Sequence, residues 1–462
     1  MQLIRLEQAL QLSRNEVIEK SKAYLSGSMA ATEAALRFDR QYVRAEGCVL
    51  YDADDNEYLD FVGGYGSVSV GHNHPRLLEA IRRIEHYPKI MQTAMQHLPA
   101  ALADNLARVT PGNLCRTFFC NSGAEAIEGA LKLARAVTGR PKFVYCHGAF
   151  HGKTFGALSV MGRAKYREPF EPLLQPTAAI PYGDLAALEK ELAGGDVAAF
   201  IVEPVQGEAG VIVPPPGFLA GARELCTKYG TLLIADEVQT GLGRTGKMFA
   251  CEWEEVVPDV LCLAKALGGG MVAAGAYVTL DQHWRKAYGS LDKAVLHSST
   301  FGGYWGNAIA CAVGITTLEI IQDEKLVEQA REKGEYLLSR LRALKEKYPV
   351  IKDVRGRGLL IGLELSDKGT GLVSKLSFGV LDKLAEEYMG TLMAVELINR
   401  HRIATVYTLN NPNVIRLEPP LTVSKEQIDR AVDAIDDVLS RSKGFLSLAA
   451  KGLGAVFSRR QH

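Results

Sequence analysis

A lysine at the end of an apolar run is the residue of this sequence best placed for covalent chemistry. Lys265 follows the apolar run at 260–264 and precedes the three glycines at 268–270. A lysine in such a position is seldom an ordinary solvated surface residue. Burial lowers the pKa of an amine, and the neutral amine is the form that makes a Schiff base with an aldehyde. The other interpretation is a lysine whose stem covers the strand end while its ammonium reaches water.

Two acids end a second apolar run, at 233–237. At least Asp236 lies at the carboxyl edge of the predicted strand, and a carboxylate in a poorly solvated place needs a cation or an N–H group as its partner. A protonated ring nitrogen would be such a partner. A site for Mg²⁺ and phosphate fits this motif about as well, although the sequence has no G-x-x-x-x-G-K-[ST] loop to support it.

A third motif could bind an anion. Residues 120–126 read C-N-S-G-A-E-A, which predicts a strand end, a few small residues and the start of a helix. Main-chain amides at a helix N-terminus attract a phosphate, and small side chains allow it to approach the backbone. Ser122 is also a residue type that caps helices, and the two roles are compatible.

The elements that must position these residues alternate between strand and helix from about 75 to 335. Helical patterns at 125–138 and 216–229 lie between apolar runs of strand length. The predicted strands are 117–120, 143–146, 198–203, 231–236 and 259–264. Such alternation predicts an α/β fold with a mainly parallel sheet covered by helices on both faces, which binds its ligands at the carboxyl ends of the strands.

Different patterns flank this central region. Residues 1–25 predict an amphipathic helix that packs on a partner surface, and 48–62 predict two short strands joined by an Asp/Asn turn. A long charged helix at 324–348 leads into strands at 358–365 and 414–417. We predict four segments: the N-terminal part of a small domain at 1–70, a large domain at 71–335, the C-terminal part of the small domain at 336–440, and a basic amphipathic tail at 441–462.

Composition excludes several classes of protein. The 462 residues include 53 Lys and Arg against 53 Asp and Glu, a net charge of zero, whereas nucleic-acid binders usually carry a basic excess. The longest uncharged stretch, 298–318, is too polar to span a membrane, and no apolar signal segment forms near Met1. The 8 cysteines suit no zinc spacing. We therefore predict a cytoplasmic protein with no metal site and no nucleic-acid partner.

Further motifs follow one another in a familiar order. They are G-H-N-H-P at 71–75, S-G-A-E-A at 122–126, F-H-G at 150–152, E-P-V-Q-G-E at 203–208, D-E-V-Q at 236–239, Lys265, S-T-F-G at 299–302 and I-R-L-E-P-P at 415–420. Over nearly its whole length the chain resembles the class III, or subgroup II, pyridoxal-phosphate-dependent aminotransferases. Segments 243–251 and 408–411 look most like putrescine aminotransferases, with ornithine aminotransferases as near relatives.

The resemblance implies a fold-type I enzyme, with a large domain around a mainly parallel sheet and a small α+β domain from both termini. It implies pyridoxal 5′-phosphate as the cofactor and a homodimer, or a tetramer of paired dimers, with active sites between subunits. Lys265 would bind the cofactor as a Schiff base and move the substrate proton, and Asp236 would pair with the ring nitrogen. The other implied cofactor contacts are Ser122, Gly123, Ala124 and Thr300 of the other subunit for the phosphate, Phe150 and Val238 for the two ring faces, and Gln239 for the phenolic oxygen.

The resemblance also implies the substrates. Glu208 and Arg416 look like the paired switch with which such enzymes accept two unlike substrates: the acid neutralises the arginine for an amine and releases it for a dicarboxylate. A structural ion pair is the alternative. Lys153 stands where many relatives carry an arginine that binds the substrate α-carboxylate. Tyr65 aligns with a tyrosine that contacts the substrate in the ornithine enzymes; a tyrosine that only packs in the protein is the alternative. The predicted reaction moves an amino group between a putrescine-like diamine and 2-oxoglutarate.

Three departures from the family pattern keep other functions open. They are the additional residues at 303–305, the segment 271–274 after the glycines, and a long apolar stretch at 372–397. They favour, as the alternative, amination of a medium- or long-chain or carrier-bound aldehyde or ketone. A catalytically silent scaffold is disfavoured because Lys265 and Asp236 are both present. For the tail we favour packing on the enzyme's own surface over contact with a membrane or another protein.

Overall fold

The computed structural model describes residues 3–36, 38–91, 94–297, 306–366 and 389–441. Thr300, the additional residues at 303–305, most of the 372–397 stretch and the tail from 442 onward lie outside the described residues. Predictions that concern those residues therefore remain predictions. Among the described residues, no helix has both the length and the apolar character needed to cross a membrane.

In the part of the chain that the structure describes, fifteen strands form three sheets. In chain order they are β1 (Tyr42–Glu46), β2 (Val49–Asp52), β3 (Glu57–Asp60), β4 (Leu114–Cys120), β5 (Lys142–Cys146), β6 (Thr177–Ile180), β7 (Val197–Val202), β8 (Leu232–Asp236), β9 (Val260–Leu263), β10 (Gly275–Leu280), β11 (Ile351–Arg357), β12 (Leu360–Leu365), β13 (Ile403–Ala404), β14 (Val406–Tyr407) and β15 (Val414–Leu417). The five strands predicted from apolar runs are all present within two or three residues of their expected bounds. The predicted pair at 48–62 is the antiparallel hairpin of β2 and β3, in which Val49 faces Leu59.

Helices cover the sheets and join the strands. They are α1 (Leu6–Ala9), α2 (Arg14–Tyr24), α3 (Gly27–Leu36), α4 (Gly63–Gly66), α5 (Pro75–Arg83), α6 (His97–Val109), α7 (Gly123–Thr138), α8 (Phe155–Ser159), α9 (Ala164–Arg167), α10 (Leu185–Leu192), α11 (Phe218–Tyr229), α12 (Asp281–Tyr288), α13 (Ala308–Asp323), α14 (Leu326–Lys347) and α15 (Lys425–Arg441). The helix expected over 1–25 is divided, because Ser13 caps a new helix by accepting a hydrogen bond from the Glu16 amide.

The central sheet has seven strands in the order β4-β10-β9-β8-β7-β5-β6. β10 runs antiparallel to both of its neighbours, β4 and β9, and the remaining adjacent pairs are parallel. Six strands consequently point the same way, so their carboxyl ends meet at one edge. β7, β8 and β9 are buried along their whole length, which explains why they read as unbroken apolar runs.

Two four-stranded sheets lie beside this core. One has the order β1-β2-β3-β13, and the other β11-β12-β15-β14. Strand β13, from the C-terminal part of the chain, pairs in parallel with β3, from the N-terminal part. Both ends of the chain thus build the same region of the fold, as a small domain from both termini requires. The proposed boundaries at 70, 335 and 440 remain predictions.

Candidate active site

A cavity at the carboxyl edge of the central sheet brings the predicted chemical groups together. Its volume is about 400 Å³, and its wall includes residues that follow β4, β5, β7, β8 and β9. Ser122, Asp236 and Lys265 all line it. Three motifs that are far apart in the sequence therefore meet in one site, because the strands that precede them run in the same direction.

Lys265 begins a 3₁₀ turn, Lys265–Gly268, directly after β9. Its backbone φ of +43° is left-handed, a conformation that costs a residue with a Cβ roughly 1–3 kcal/mol. Burial lowers the pKa of Lys265, although the carboxylates of Glu418 and Glu208 act to raise it. The neutral amine, which is the nucleophilic form, is therefore more abundant than in an exposed lysine.

Asp236 is the last residue of β8 and is buried. Its Oδ1 accepts a hydrogen bond from the Val238 amide at 3.1 Å, and its Oδ2 lies 2.7 Å from Nδ1 of His151. A carboxylate can only accept, so the histidine donates from Nδ1. Nε2 of His151 is buried, and no described residue forms a hydrogen bond with it. This contact, which was not predicted from the sequence, fixes the direction of the carboxylate.

A second buried acid, Glu203, braces two loops of the site. Its Oε1 accepts from the Phe150 amide at 2.9 Å and its Oε2 from the Gly207 amide at 3.2 Å. Burial raises the pKa of Glu203 to about 7, while the charge of His151 acts in the opposite direction. Glu203 therefore joins the loop after β5 to the loop after β7.

The N-terminus of α7 forms the polar end of the cavity. Ser122 is its N-cap, and the Ser122 hydroxyl accepts a hydrogen bond from the Glu125 amide at 3.2 Å. A Cβ added to Gly123 would lie 2.9 Å from Cγ1 of Val238, so only glycine fits there without displacing the valine. Ala124 also lines the cavity. The helix starts two residues before the predicted position and directs its free amides and positive dipole end at the cavity.

The other residues expected around a cofactor ring also line this cavity. Phe150 and Val238 are partly buried in its wall. Gln239 lines it as well, but its Nε2 donates to Oε2 of Glu418 at 2.9 Å. This contact to Glu418 was not expected from the sequence.

Glu208 and Arg416 form an ion pair. Nη1 of Arg416 donates to Oε1 of Glu208 at 2.6 Å, and Arg416 is only 1% exposed. Burial alone would raise the pKa of Glu208, but the charge and hydrogen bond of Arg416, together with the Leu409 amide and the charge of Lys265, outweigh it and the pKa is lowered. Both groups are therefore charged, and the predicted pair is present.

Two further buried charged residues, Glu418 and Arg244, lie next to this pair. Oε2 of Glu418 is 3.5 Å from Nε of Arg416, and Oε1 of Glu418 is 3.8 Å from Nε of Arg244. Arg244 also donates to the carbonyl oxygens of Leu359 and Pro419. Arg244 and Glu418 lie in the motifs at 243–251 and 415–420, but neither residue was predicted to belong to the site. Arg244 lies in the loop after β8 and Glu418 directly follows β15, so the sequence signal was Arg416 itself, a charged residue in the otherwise apolar β15 that is costly to bury without a partner.

Tyr65 and Lys153 occupy different surroundings. The Tyr65 ring lies 4.7 Å from the guanidinium carbon of Arg416, although the residue is 45% exposed. Lys153 is exposed, and its Nζ lies 5.6 Å from the centre of the Tyr166 ring. Tyr65 is thus placed at the Glu208–Arg416 pair, whereas Lys153 lies beside the partly buried Tyr166.

The family description "Aminotransferase class-III" matches residues 29–439. This chain belongs to the class III aminotransferases. The resemblance inferred from the motifs is thereby confirmed, as are the fold class and the enzymatic nature of the protein.

Named relatives agree with the family. The chain is 37% identical over 466 residues to aminotransferase PigE of a Serratia species, covering 94% of this chain but 54% of that protein, so it spans about half the length of this relative. The ornithine aminotransferase of Toxoplasma gondii has a TM-score of 0.82 and 31% identity, covering 96% of this chain and 98% of that chain. A PLP-bound amine transaminase from an uncultivated Pseudomonas species has a TM-score of 0.77 and 30% identity, covering 88% and 96%.

Pyridoxal phosphate is the cofactor of this aminotransferase, as its family and the PLP-bound neighbour indicate. The residues of the cavity fit the cofactor. A nucleophilic lysine, a buried carboxylate and a helix N-terminus meet in one space of about 400 Å³. The glycine at the start of α7 keeps that helix end open, since a Cβ there would collide with Val238.

Proposed function

We propose that this aminotransferase moves an amino group between a diamine of putrescine type and 2-oxoglutarate, giving an aminoaldehyde and glutamate. The Glu208–Arg416 ion pair is the observation that carries this proposal. An arginine that binds a dicarboxylate must be neutralised when the other substrate has no carboxylate, because an unpaired buried charge is strongly unfavourable. The intact Glu208–Arg416 ion pair is therefore suited to the amine substrate, and the separated pair is suited to the dicarboxylate.

Arg416 has spare donors for the second substrate. Its Nη2 is buried and has no hydrogen-bond partner among the described residues. A planar guanidinium binds a carboxylate through two parallel hydrogen bonds, so Nη1 and Nη2 can hold the distal carboxylate of 2-oxoglutarate once Glu208 withdraws from Nη1. The Tyr65 ring, which faces the guanidinium, would border that carboxylate.

The cofactor supplies an electron-withdrawing ring that stabilises negative charge on the reacting carbon. We assign its contacts to residues of the cavity. Ser122, Gly123 and Ala124 hold the phosphate, with Thr300 of the partner subunit; Phe150 and Val238 enclose the ring, Gln239 reaches its phenolic oxygen, and Asp236 pairs with its nitrogen. Lys265 attaches the cofactor and moves the proton at the substrate carbon. Its lowered pKa suits a base that must be neutral to accept a proton.

We further propose a homodimer in the cytoplasm. Several large apolar side chains of this single chain are exposed, which is typical of a surface that another subunit covers. They include Ile90, Met95, Leu291 and Val295. All eight cysteines are free and seven are buried, which is consistent with a reducing compartment.

A second substrate class is favoured by an apolar part of the cavity wall. Val272, Ala273 and Ala274 line the cavity with apolar side chains, which offer no charged partner to the second ammonium of a diamine. Such a wall suits the alkyl chain of a medium- or long-chain or carrier-bound aldehyde or ketone. Rates measured against amines of increasing length separate the two: a sharp optimum at four or five carbons with a terminal second amine contradicts the long-chain alternative.

The first test is a spectral titration of the purified holoenzyme. Putrescine and glutamate, each added without a second substrate, should both shift the absorption of the bound cofactor to that of its amine form. A shift with glutamate alone would contradict the diamine and favour the larger carbonyl substrate, and no shift with either would contradict transamination. Lys265→Ala is the matched control, since it should abolish covalent attachment of the cofactor and turnover.

A further inference from the structure

The Glu208 carboxylate has a second partner that does not depend on Arg416. Its Oε1 accepts from Nη1 of Arg416 at 2.6 Å, while its Oε2 accepts from the main-chain amide of Leu409 at 2.7 Å. Arg416 lies on β15, whereas Leu409 lies in the loop that joins β14 to β15. The carboxylate can therefore release one partner and keep the other.

Residues 408–411, which we call the 408–411 loop, are held in place from two sides. The Asn410 amide donates to the main-chain oxygen of Glu208 at 2.8 Å, and Nδ2 of Asn410 donates to the Gly148 oxygen at 2.8 Å. From another direction, Nη1 of Arg163 donates to the Leu409 oxygen at 2.7 Å. These contacts keep the Leu409 amide directed at the Glu208 carboxylate.

We propose that the 408–411 loop holds the Glu208 carboxylate when Arg416 turns to a dicarboxylate substrate, and that Asn410 and Arg163 are the positioning residues for this exchange. The inference rests on the proposed function, which supplies the dicarboxylate. No bond is made or broken in the exchange. One ion pair replaces another, and the Leu409 amide remains a hydrogen-bond donor to Glu208 throughout.

The surrounding charges allow the exchange. Glu418 lies 3.5 Å from Nε of Arg416, on a different nitrogen from the one that Glu208 contacts, so the guanidinium keeps one acid nearby. A buried carboxylate without any donor would be strongly destabilised, and it would then compete with the substrate for Arg416. With the Leu409 amide in place, the released carboxylate retains a partner and competes less.

The test is steady-state kinetics of Asn410→Ala and Arg163→Ala holoenzymes. A loosened loop leaves Arg416 as the only partner of the Glu208 carboxylate, so the KM for 2-oxoglutarate should rise about tenfold, the effect of losing one hydrogen bond to a charged group. The KM for the amine and kcat should change less than about twofold, because the pair stays closed with that substrate. Asn413→Ala is the matched control, since its side-chain oxygen has no hydrogen-bond partner among the described residues.

A double variant separates a specific effect from a general loss of structure. In a Glu208→Ala background, Asn410→Ala should no longer change the KM for 2-oxoglutarate. The exchange is overturned by an unchanged KM in both single variants, by equal rises for both substrates, or by a rise that persists without Glu208. A wild-type enzyme that fails to use 2-oxoglutarate overturns the proposed function itself, which distinguishes the two failures.

Discussion

At the scale of single residues, the site combines groups whose charges are controlled by burial. Burial favours the neutral amine of Lys265, whereas the nearby carboxylates oppose that shift. Arg416 behaves differently: burial acts to lower its pKa, but Glu208 and Glu418 outweigh it and the pKa is raised. The lysine is thus prepared to react while the arginine remains a permanent cation for binding.

The buried carboxyl group of Glu203 leads to a prediction about how the free energy of unfolding depends on pH. Burial raises its pKa to about 7 from an ordinary 4.5, so the folded protein binds this proton more tightly than the unfolded chain does. The resulting stabilisation is present below pH 4.5 and is lost as the pH rises through 7. Relative to Glu203→Gln, which cannot titrate, the wild-type free energy of unfolding should fall by about 3 kcal/mol over this range.

Denaturant unfolding of both apoproteins, at one protein concentration and a series of pH values, measures this difference. Glu224→Gln, at an exposed acid of α11, controls for the removal of a negative charge. A constant difference between wild type and Glu203→Gln from pH 4.5 to 7.5 would show that Glu203 does not titrate in this range.

At the scale of elements, the start of α7 is the part of the site with the least spare room. A methyl group on Gly123 would lie within 3.0 Å of both methyl groups of Val238, so Gly123→Ala must displace the residue that we assign to one ring face. Overpacking of this kind typically costs 1–3 kcal/mol. We expect the affinity of the apoprotein for pyridoxal phosphate to fall about tenfold, measured by absorbance titration.

Gly194→Ala is a matched control for this prediction. Its added Cβ would lie 3.2 Å from the Asp196 side chain and at an ordinary contact distance of 3.9 Å from the Glu191 oxygen, after α10 and outside the cavity wall. Unchanged cofactor affinity in Gly123→Ala would mean that Val238 moves freely and does not enclose the ring. An equal loss in both variants would indicate a general effect on folding.

Main-chain contacts between distant elements position Arg416 and Tyr65 relative to each other. The Glu418 amide donates to the Phe61 oxygen at 2.9 Å, and the Leu421 amide donates to the Ser69 oxygen at 2.8 Å. These bonds join the segment after β15 to the segment that carries Tyr65. The stacking of Tyr65 on Arg416 therefore depends on two parts of the chain that are more than 300 residues apart.

At the scale of the whole molecule, the N-terminal helices point to subunit association. Within the described residues, α1 and α2 have no buried side chain, and Leu6 in α1 and Leu10 directly after it are 69% and 77% exposed. Leucines exposed on a short helix gain their stabilisation by packing on another surface. This arrangement agrees with the expectation that the opening helix packs on a partner, which we take to be a second copy of the chain.

We predict that the protein sediments at about twice its chain mass of 50.3 kDa. Leu6→Glu combined with Leu10→Glu should raise the dimer dissociation constant at least tenfold, because each leucine buries apolar area on association. Analytical ultracentrifugation over a dilution series measures this. The control is Gln11→Glu, which adds a charge at an exposed neighbouring position and should leave the dimer dissociation constant unchanged. If the leucine variant also leaves this dissociation constant unchanged, α1 lies outside the interface.

Much of the catalytic end of the site could be predicted from local sequence. Lys265 follows β9, Asp236 ends β8 and Ser122 follows the apolar, buried end of β4. Buried strand segments are recognisable because consecutive side chains in them are apolar. Their meeting in one cavity follows from the parallel direction of those strands. Strand β10 and its antiparallel direction were not predicted. The residue types of a buried strand do not show whether it runs parallel or antiparallel to the strands beside it.

By itself, then, the sequence determined the strands that precede the site residues, the lysine, the carboxylate and the helix N-terminus, because each has a signature within about ten residues. Only the tertiary structure decided the partners: His151 for Asp236, Glu418 for Gln239 and Arg416, and the Leu409 amide for Glu208. Glu208 and Leu409 are 201 residues apart and have no local pattern in common. Such contacts arise from how strands of different sheets pack, and a main-chain donor leaves no trace in the side-chain sequence.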